Sequence, residues 1–297
     1  MNLVKPSLVF ISLAYLIGCS TASADRLDLN DPKDVMTANR KIQCSTEDGQ
    51  AITYWWHGEA YSRRQGERDK HLFDVEGMNI RQCIGVTDAE RGEGYKLVSR
   101  ELLMYKDPAS GEILKTWENP WTGATVDVLQ VANDPVNFTS YHVGRDGKPP
   151  SWDGTNLGGR WWSTSTIPLF YPNPLAGDYQ AEIGGTYHAT EMFNFMGDLD
   201  SLLDDGNHTA EVQVGWVRMS DWLPWMMMGG RDGVIYMHTA GRKLDSWDDL
   251  SQTLKDEIAT NYPEYVDPPP ADDARRNETS WLYYKKVRDG ERVAPTR

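Results

Sequence analysis

Apolar positions along this chain fall into short runs separated by turn clusters, the pattern of a β-rich protein. Strand signals cover Ile52 to Tyr61, rich in aromatics, Tyr95 to Tyr105, which alternates in part, and the β-branched run Thr125 to Ala132. They continue over Glu211 to Met219, Val234 to Thr239 and Ser280 to Val287. Turn residues such as Asp107-Pro108 with Ser110-Gly111 punctuate them. Helical spacing is rarer. Asp31 to Arg40 reads as a short entry helix with Pro32 in its first turn. Thr190 to Leu203 places Met192, Phe195, Met196, Leu199, Leu202 and Leu203 on one helical face. Ser246 with Asp249 three residues on resembles an acidic capping box, opening a helix through Leu250, Leu254 and Ile258 that stops before Pro263. The expected fold is mainly β (α+β): a large antiparallel curved sheet or barrel-like fold with two or three helices packed on one side.

The first residues follow a different pattern. One cation, Lys5, precedes an apolar stretch from Leu8 to Ile17, and Leu16-Ile17-Gly18-Cys19 follows. That is a secretory signal, too short to span a bilayer with flanks. A cysteine placed there resembles the bacterial lipobox, whose thiol is acylated and becomes the new N-terminus. The expected organisation is a lipoprotein signal peptide over 1–18, a lipidated tether and short N-terminal segment over 19–40, and a single globular domain over 41–297. Ser20 after Cys19 points to the outer membrane and a periplasmic face. The alternative is cleavage after Ala22-Ser23-Ala24, giving a soluble periplasmic protein.

Composition narrows the partners. With 12 Trp and 14 Tyr, the chain has ample material for a core. A formal net charge of −14 argues against nucleic acid, because little here neutralises phosphates. It also disfavours anionic lipid headgroups, so membrane attachment is expected only through acyl chains on Cys19. Beyond Cys19 the cysteines are Cys44 and Cys83. In an oxidising compartment that pair reads as a disulfide; two separate buried thiols are the alternative.

Three segments carry candidate chemistry. In the first, a strand over 95–105 puts Leu97, Glu101, Leu103 and Tyr105 on one face. A carboxylate among leucines and a tyrosine has the setting for a raised pKa and for acid/base work, unless a neighbouring arginine or solvent takes it up. Trp117, Asn119-Pro120 and Trp121 follow. The second segment runs from Trp216 through Trp222, Trp225, Met226, Met227 and Met228 to a Gly-Gly turn. It is either a dense core corner or the wall of an apolar pocket, since each buried indole N–H needs a partner. The third, Arg275 to Tyr283, contains Asn277 and Trp281 and either fixes a loop or orients a ligand. The histidines are dispersed and lack metal-binding spacing, so no metal site is expected. His142, after a polar turn, is an acid/base candidate. Nucleophile elbow, Walker and dinucleotide motifs are absent from the sequence.

The strings YWWHGEAYS (54–62), LFDVEGMNIRQC (72–83), YKDPASGEILKTWENPWTG (105–123) and VANDPVN (131–137) resemble a bacterial and fungal family, domain of unknown function 1838. WVRMSDWLPWMMMGGRDGVIYMHTAGRKL (216–244) and RRNETSWLYYKK (275–286) resemble its C-terminal half. The resemblance runs from about Ile42 to Lys286. It implies one domain and, as the family has no settled activity, transfers no catalytic residue.

The expected function is acid/base catalysis without an organic cofactor on a hydrophobic or aromatic small molecule, by isomerisation, elimination or hydrolysis. Glu101 would be the acid or base, assisted by Tyr105 and His142. Trp117, Asn119, Trp216, Trp222, Trp225, Met227, Asn277 and Trp281 would shape the ligand site. A carrier of an apolar ligand, or a structural lipoprotein whose aromatics form core or a protein interface, would share much of this sequence.

Overall fold

The computed structural model describes residues 26–176 and 185–292; Cys19 and the signal segment lie outside them. Helix α1 (Pro32–Gln43) leads in, capped by Asp31. The long strands β1 (Ile52–Arg63), β2 (Lys70–Asp88) and β3 (Gly92–Lys106) follow. Short strands β4 (Thr116–Glu118), β5 (Thr125–Asp127), β6 (Val131–Asn133), β7 (Phe138–Tyr141) and β8 (Thr155–Leu157) lead to β9 (Arg160–Pro172) and β10 (Thr186–Asp198). Then come α2 (Leu199–Leu203), β11 (Gln213–Ser220), β12 (Val234–Lys243), α3 (Gln252–Asn261) and α4 (Ser280–Arg288). Among the described residues, no helix is long and apolar enough to cross a membrane.

All strands but β4 and β5 join one antiparallel sheet of order β6-β3-β2-β1-β12-β11-β10-β9-β8, with β7 also on β3. The sheet is rolled but not closed into a barrel. Strands β3 and β9 stand six places apart, about 29 Å on a flat sheet at the usual strand spacing. They nevertheless line one cavity, so the sheet must curl around it.

Alternation sorts the side chains by face. Inward residues at one end, among them Phe73, Val75, Leu103, Tyr105, Tyr187 and Met237, bury against the loop Leu223–Met228, Trp117 and the α4 residues Trp281 and Tyr284. Outward residues Met78, Ile80, Leu102 and Met104 pack under Leu250, Leu254 and Ile258. Helix α1 packs through Ala38 and Ile42 with Tyr54, Leu202 and Val214, and the Cys44–Cys83 disulfide joins the end of α1 to β2.

The structure corrects several element expectations. Thr190 to Leu203 is mostly strand. Its helical spacing coincides with an alternation of Tyr187, Ala189, Glu191, Phe193 and Phe195, and β10 pairs on both sides along its length. The helix starts only at Leu199, where the Asp198 carboxylate accepts from the Ser201 N–H at 2.8 Å. Ser280 to Val287 is helix α4. Thr279 accepts from the Leu282 N–H at 3.3 Å, and Trp281 with Tyr284 turns one stripe into the core. Aromatic content mimicked a strand there; the cap carried the better signal. Thr125 to Ala132 divides into β5 and β6. The Ser246–Asp249 capping box is present but opens one 3₁₀ turn, and α3 begins afterwards under its own cap, Ser251.

Candidate functional site

The half of the sheet interior left unfilled by that core is a cavity of about 320 Å³. Tyr54 and Trp56 of β1, Val214 and Trp216 of β11, and Phe193 and Phe195 of β10 wall it. Its polar residues include Asn79 and Arg81 of β2, Ser99 and Glu101 of β3, and Glu191 of β10. The placement follows from register. Asn79 and Asn133 flank Glu101 on β2 and β6, and Glu191 stands directly opposite Arg218 on β10 and β11.

Trp56 lies between two glycines, opposite Gly77 on one side and Gly241 on the other. A Cβ on Gly77 would come within 2.5 Å of the indole, and one on Gly241 within 2.6 Å of Trp56 Cβ. The missing side chains let the ring lie against the sheet and leave room above it.

The electrostatics centre on Glu101. It is half-buried by surface because it borders the cavity, but protein encloses its carboxyl. Burial first, then the Glu191 carboxylate across the cavity, push its pKa up to about 7; Arg218, Arg81 and the Asn133 amide pull the other way. Arg218 is ion-paired with Glu191 and donates to the Tyr187 hydroxyl. Burial opposes its charge, yet Tyr187 and Glu191 hold its pKa above the ordinary arginine value. The arrangement is a carboxyl that exchanges a proton near neutrality, beside a fixed cation, in an aromatic-walled space. Such a group can take a proton from one atom of a bound molecule and return it to another.

Of the residues singled out in the sequence, Glu101 and Trp216 line this cavity. Tyr105 is buried in the adjoining core, close enough to Arg218 and Glu101 to feel their charge, and burial raises its pKa. Trp117, Trp222, Trp225 and Trp281 belong to that core and not to the cavity wall. Trp225 packs on Phe73, Tyr105 and Trp117, and Trp281 meets Tyr187 edge-on at 5.1 Å between centroids. The Trp222 N–H donates to the Arg231 carbonyl at 2.9 Å, so its indole needs no ligand.

Asn119 is buried and structural, donating to the Met226 carbonyl at 2.9 Å and accepting from the Trp121 N–H. Met227 takes the left-handed conformation, φ 54°, that ends the turn after Trp225. Asn277 is exposed and exchanges two hydrogen bonds with the Asn137 backbone. His142 sits beside Gly92 at the β2–β3 turn, nine residues along β3 from Glu101, roughly 30 Å of strand. It does not join the site.

Sequence reading missed Glu191, Arg218, Tyr187, Arg81 and Asn133. The usable signal was period two through Tyr187, Ala189, Glu191 and Phe193, which places a carboxylate on the same face as the aromatics. The cysteine pair does form a disulfide, with Cα atoms 5.9 Å apart. One trio outside the cavity, Glu59 and His71 exposed and Asp74 half-buried, brings possible metal-ligand atoms within 4.8 Å of one another. His71 there already contacts Asp74 at 2.9 Å and the Phe73 carbonyl at 3.1 Å.

The sequence model of one protein family, described as Protein of unknown function (DUF1838), matches residues 49–288 of the chain. No curated protein matches it.

Proposed function

The chain belongs to the DUF1838 family, whose description assigns no activity, and from the site alone we propose that it is an acid/base enzyme of a hydrophobic or aromatic small molecule. The observation that carries this reading is the Glu101 carboxyl, lifted to about 7 in a cavity of about 320 Å³ walled by Tyr54, Trp56, Phe193 and Trp216. A carboxyl poised near neutral pH both accepts and donates a proton efficiently. The reaction is an isomerisation, elimination or hydrolysis by proton transfer, without an organic cofactor. Arg218, held by Glu191 and Tyr187, supplies a positive field toward charge that develops on the substrate.

The chain is further proposed to be an exported lipoprotein anchored through Cys19. The sequence around Cys19 supports this, and a disulfide between Cys44 and Cys83 suits an oxidising compartment.

Native mass spectrometry of wild type and Glu101→Gln, purified from a native type of host, tests the enzymatic reading. A ligand that is retained only by the variant, or held there in a chemically different form, supports catalysis. The same ligand unchanged in both proteins makes this a carrier, and two empty proteins remove the cavity's claim to a ligand.

A further inference from the structure

The cavity holds a second charged group that the proton-transfer chemistry does not use. Arg81, on β2, stands at the position diagonal to Glu101, whose register partner is Asn79. Its Nε donates to Asn79 Oδ1 at 2.8 Å, and its Nη1 donates to the Gln43 carbonyl at 3.4 Å and to Gln43 Oε1 at 3.0 Å. The guanidinium lies 4.7 Å from the centre of the Tyr54 ring. Every one of these partners is neutral. Among the described residues Nη2 has no hydrogen-bond partner and no carboxylate lies within ion-pair distance. Enclosed arginines elsewhere in the fold are matched, Arg218 by Glu191 and Arg100 by Asp134.

The neighbouring amine does not supply an anion either. Lys243 approaches the same Tyr54 ring at 5.7 Å, and among the described residues its amine bonds to the Lys41 and Cys44 carbonyls and the Thr209 hydroxyl. Burial and then the Arg81 charge drive that amine well below the usual lysine range. In a chain of net charge −14, no described carboxylate ion-pairs with Arg81, and Glu101 acts on it only from longer range. An arginine fork with a free edge is the side chain best matched to a carboxylate.

We propose that the molecule taken by the cavity is a hydrophobic carboxylic acid, its carboxylate bound by Arg81. The inference rests on the reading of the cavity as a ligand site and adds the class of ligand. Diagonal positions on neighbouring strands lie roughly 7–8 Å apart between Cα atoms. A carboxylate on Arg81 therefore sets an atom a few bonds away beside Glu101, with the apolar remainder against Trp216 and Phe193.

The test measures binding of 2-naphthoate and of its neutral analogue 2-naphthamide to the full chain by calorimetry. Wild type should bind the acid at least tenfold more tightly. Arg81→Gln should remove that preference and leave amide affinity unchanged, while Arg81→Lys should keep part of it. Glu101→Gln should preserve the preference, because it removes a negative charge and not the fork. Equal affinities in wild type, or a preference that survives in a folded Arg81→Gln, would overturn the proposal and leave the cavity reading standing. If neither probe binds, both readings fall together. The wild-type comparison needs no variant, so loss of folding in Arg81→Gln does not rescue the idea.

Discussion

Glu101 on β3 and Glu191 on β10 face the same cavity although four strands separate them in the sheet. Only the roll of the sheet brings them together, and the Glu191 carboxylate disfavours charge on Glu101. Arg218 keeps the pair compatible by ion-pairing with Glu191. Arg218→Met should therefore push the Glu101 pKa above 7 and cost on the order of 3–5 kcal/mol, since it strands an enclosed carboxylate. Arg218→Met combined with Glu191→Gln should recover much of that loss. Denaturant melts of the two single variants and the double variant form the cycle; strictly additive losses would refute the coupling.

The raised pKa of Glu101 also fixes a pH dependence. Its folded value near 7 lies above its ordinary 4.5, so the folded protein binds this proton more tightly than the unfolded chain. The contribution is whole below about pH 4.5 and is lost as pH rises from there through 7. Its size is on the order of 3 kcal/mol. Asp273, held down to about 2 chiefly by Arg275, acts in the opposite sense, losing its contribution as pH falls below 4. Stability of wild type minus that of Glu101→Gln, followed from pH 4 to 8, should decline across the interval. A flat difference would mean that the carboxyl is not enclosed.

Gly77 is where an added methyl group would meet the ring of the cavity-lining Trp56. Gly77→Ala drives a methyl group into the Trp56 indole and should cost roughly 1–3 kcal/mol, through displacement of the ring and not of the backbone. Trp56→Phe in the same background should restore part of the loss. Thermal melts of the three proteins check this, and an unchanged Tm in Gly77→Ala would show that the ring is not seated on the sheet.

The disulfide joins residues 39 positions apart and encloses all of β1 and most of β2. Cys44→Ser with Cys83→Ser should lower stability by about 3–4 kcal/mol. The loss should be felt first where Cys44 and Cys83 pack on Leu97, which also borders the cavity. Hydrogen exchange would locate it; uniform loosening across the sheet would contradict that placement.

How much of this site could be read from the chain depends on the period that was used. Glu101 stood out because leucines and a tyrosine alternate around it, and β3 keeps that alternation. Glu191 was hidden because Met192, Phe195, Met196 and Leu199 satisfy helical spacing equally well, and a short run of that kind does not choose between periods. The indoles misled for another reason. A buried Trp can satisfy its N–H on a backbone carbonyl, as Trp222 does, so tryptophan content does not distinguish a packed corner from a pocket. Arg218 had no visible partner until the strand order placed Glu191 opposite it. The curved antiparallel sheet itself was legible from strand runs and turns, whereas the contacts that join its two ends follow from curvature that no local pattern records.

Phe138 of β7 and Ile167 of β9 border the cavity from the two unjoined sides of the sheet, and both are substantially exposed. No ladder of hydrogen bonds ties β7 to β9. Among the described residues this flank of the cavity is therefore bordered by side chains and not by a backbone ladder. An opening along this line would disturb side-chain packing and break none of the sheet's backbone hydrogen bonds.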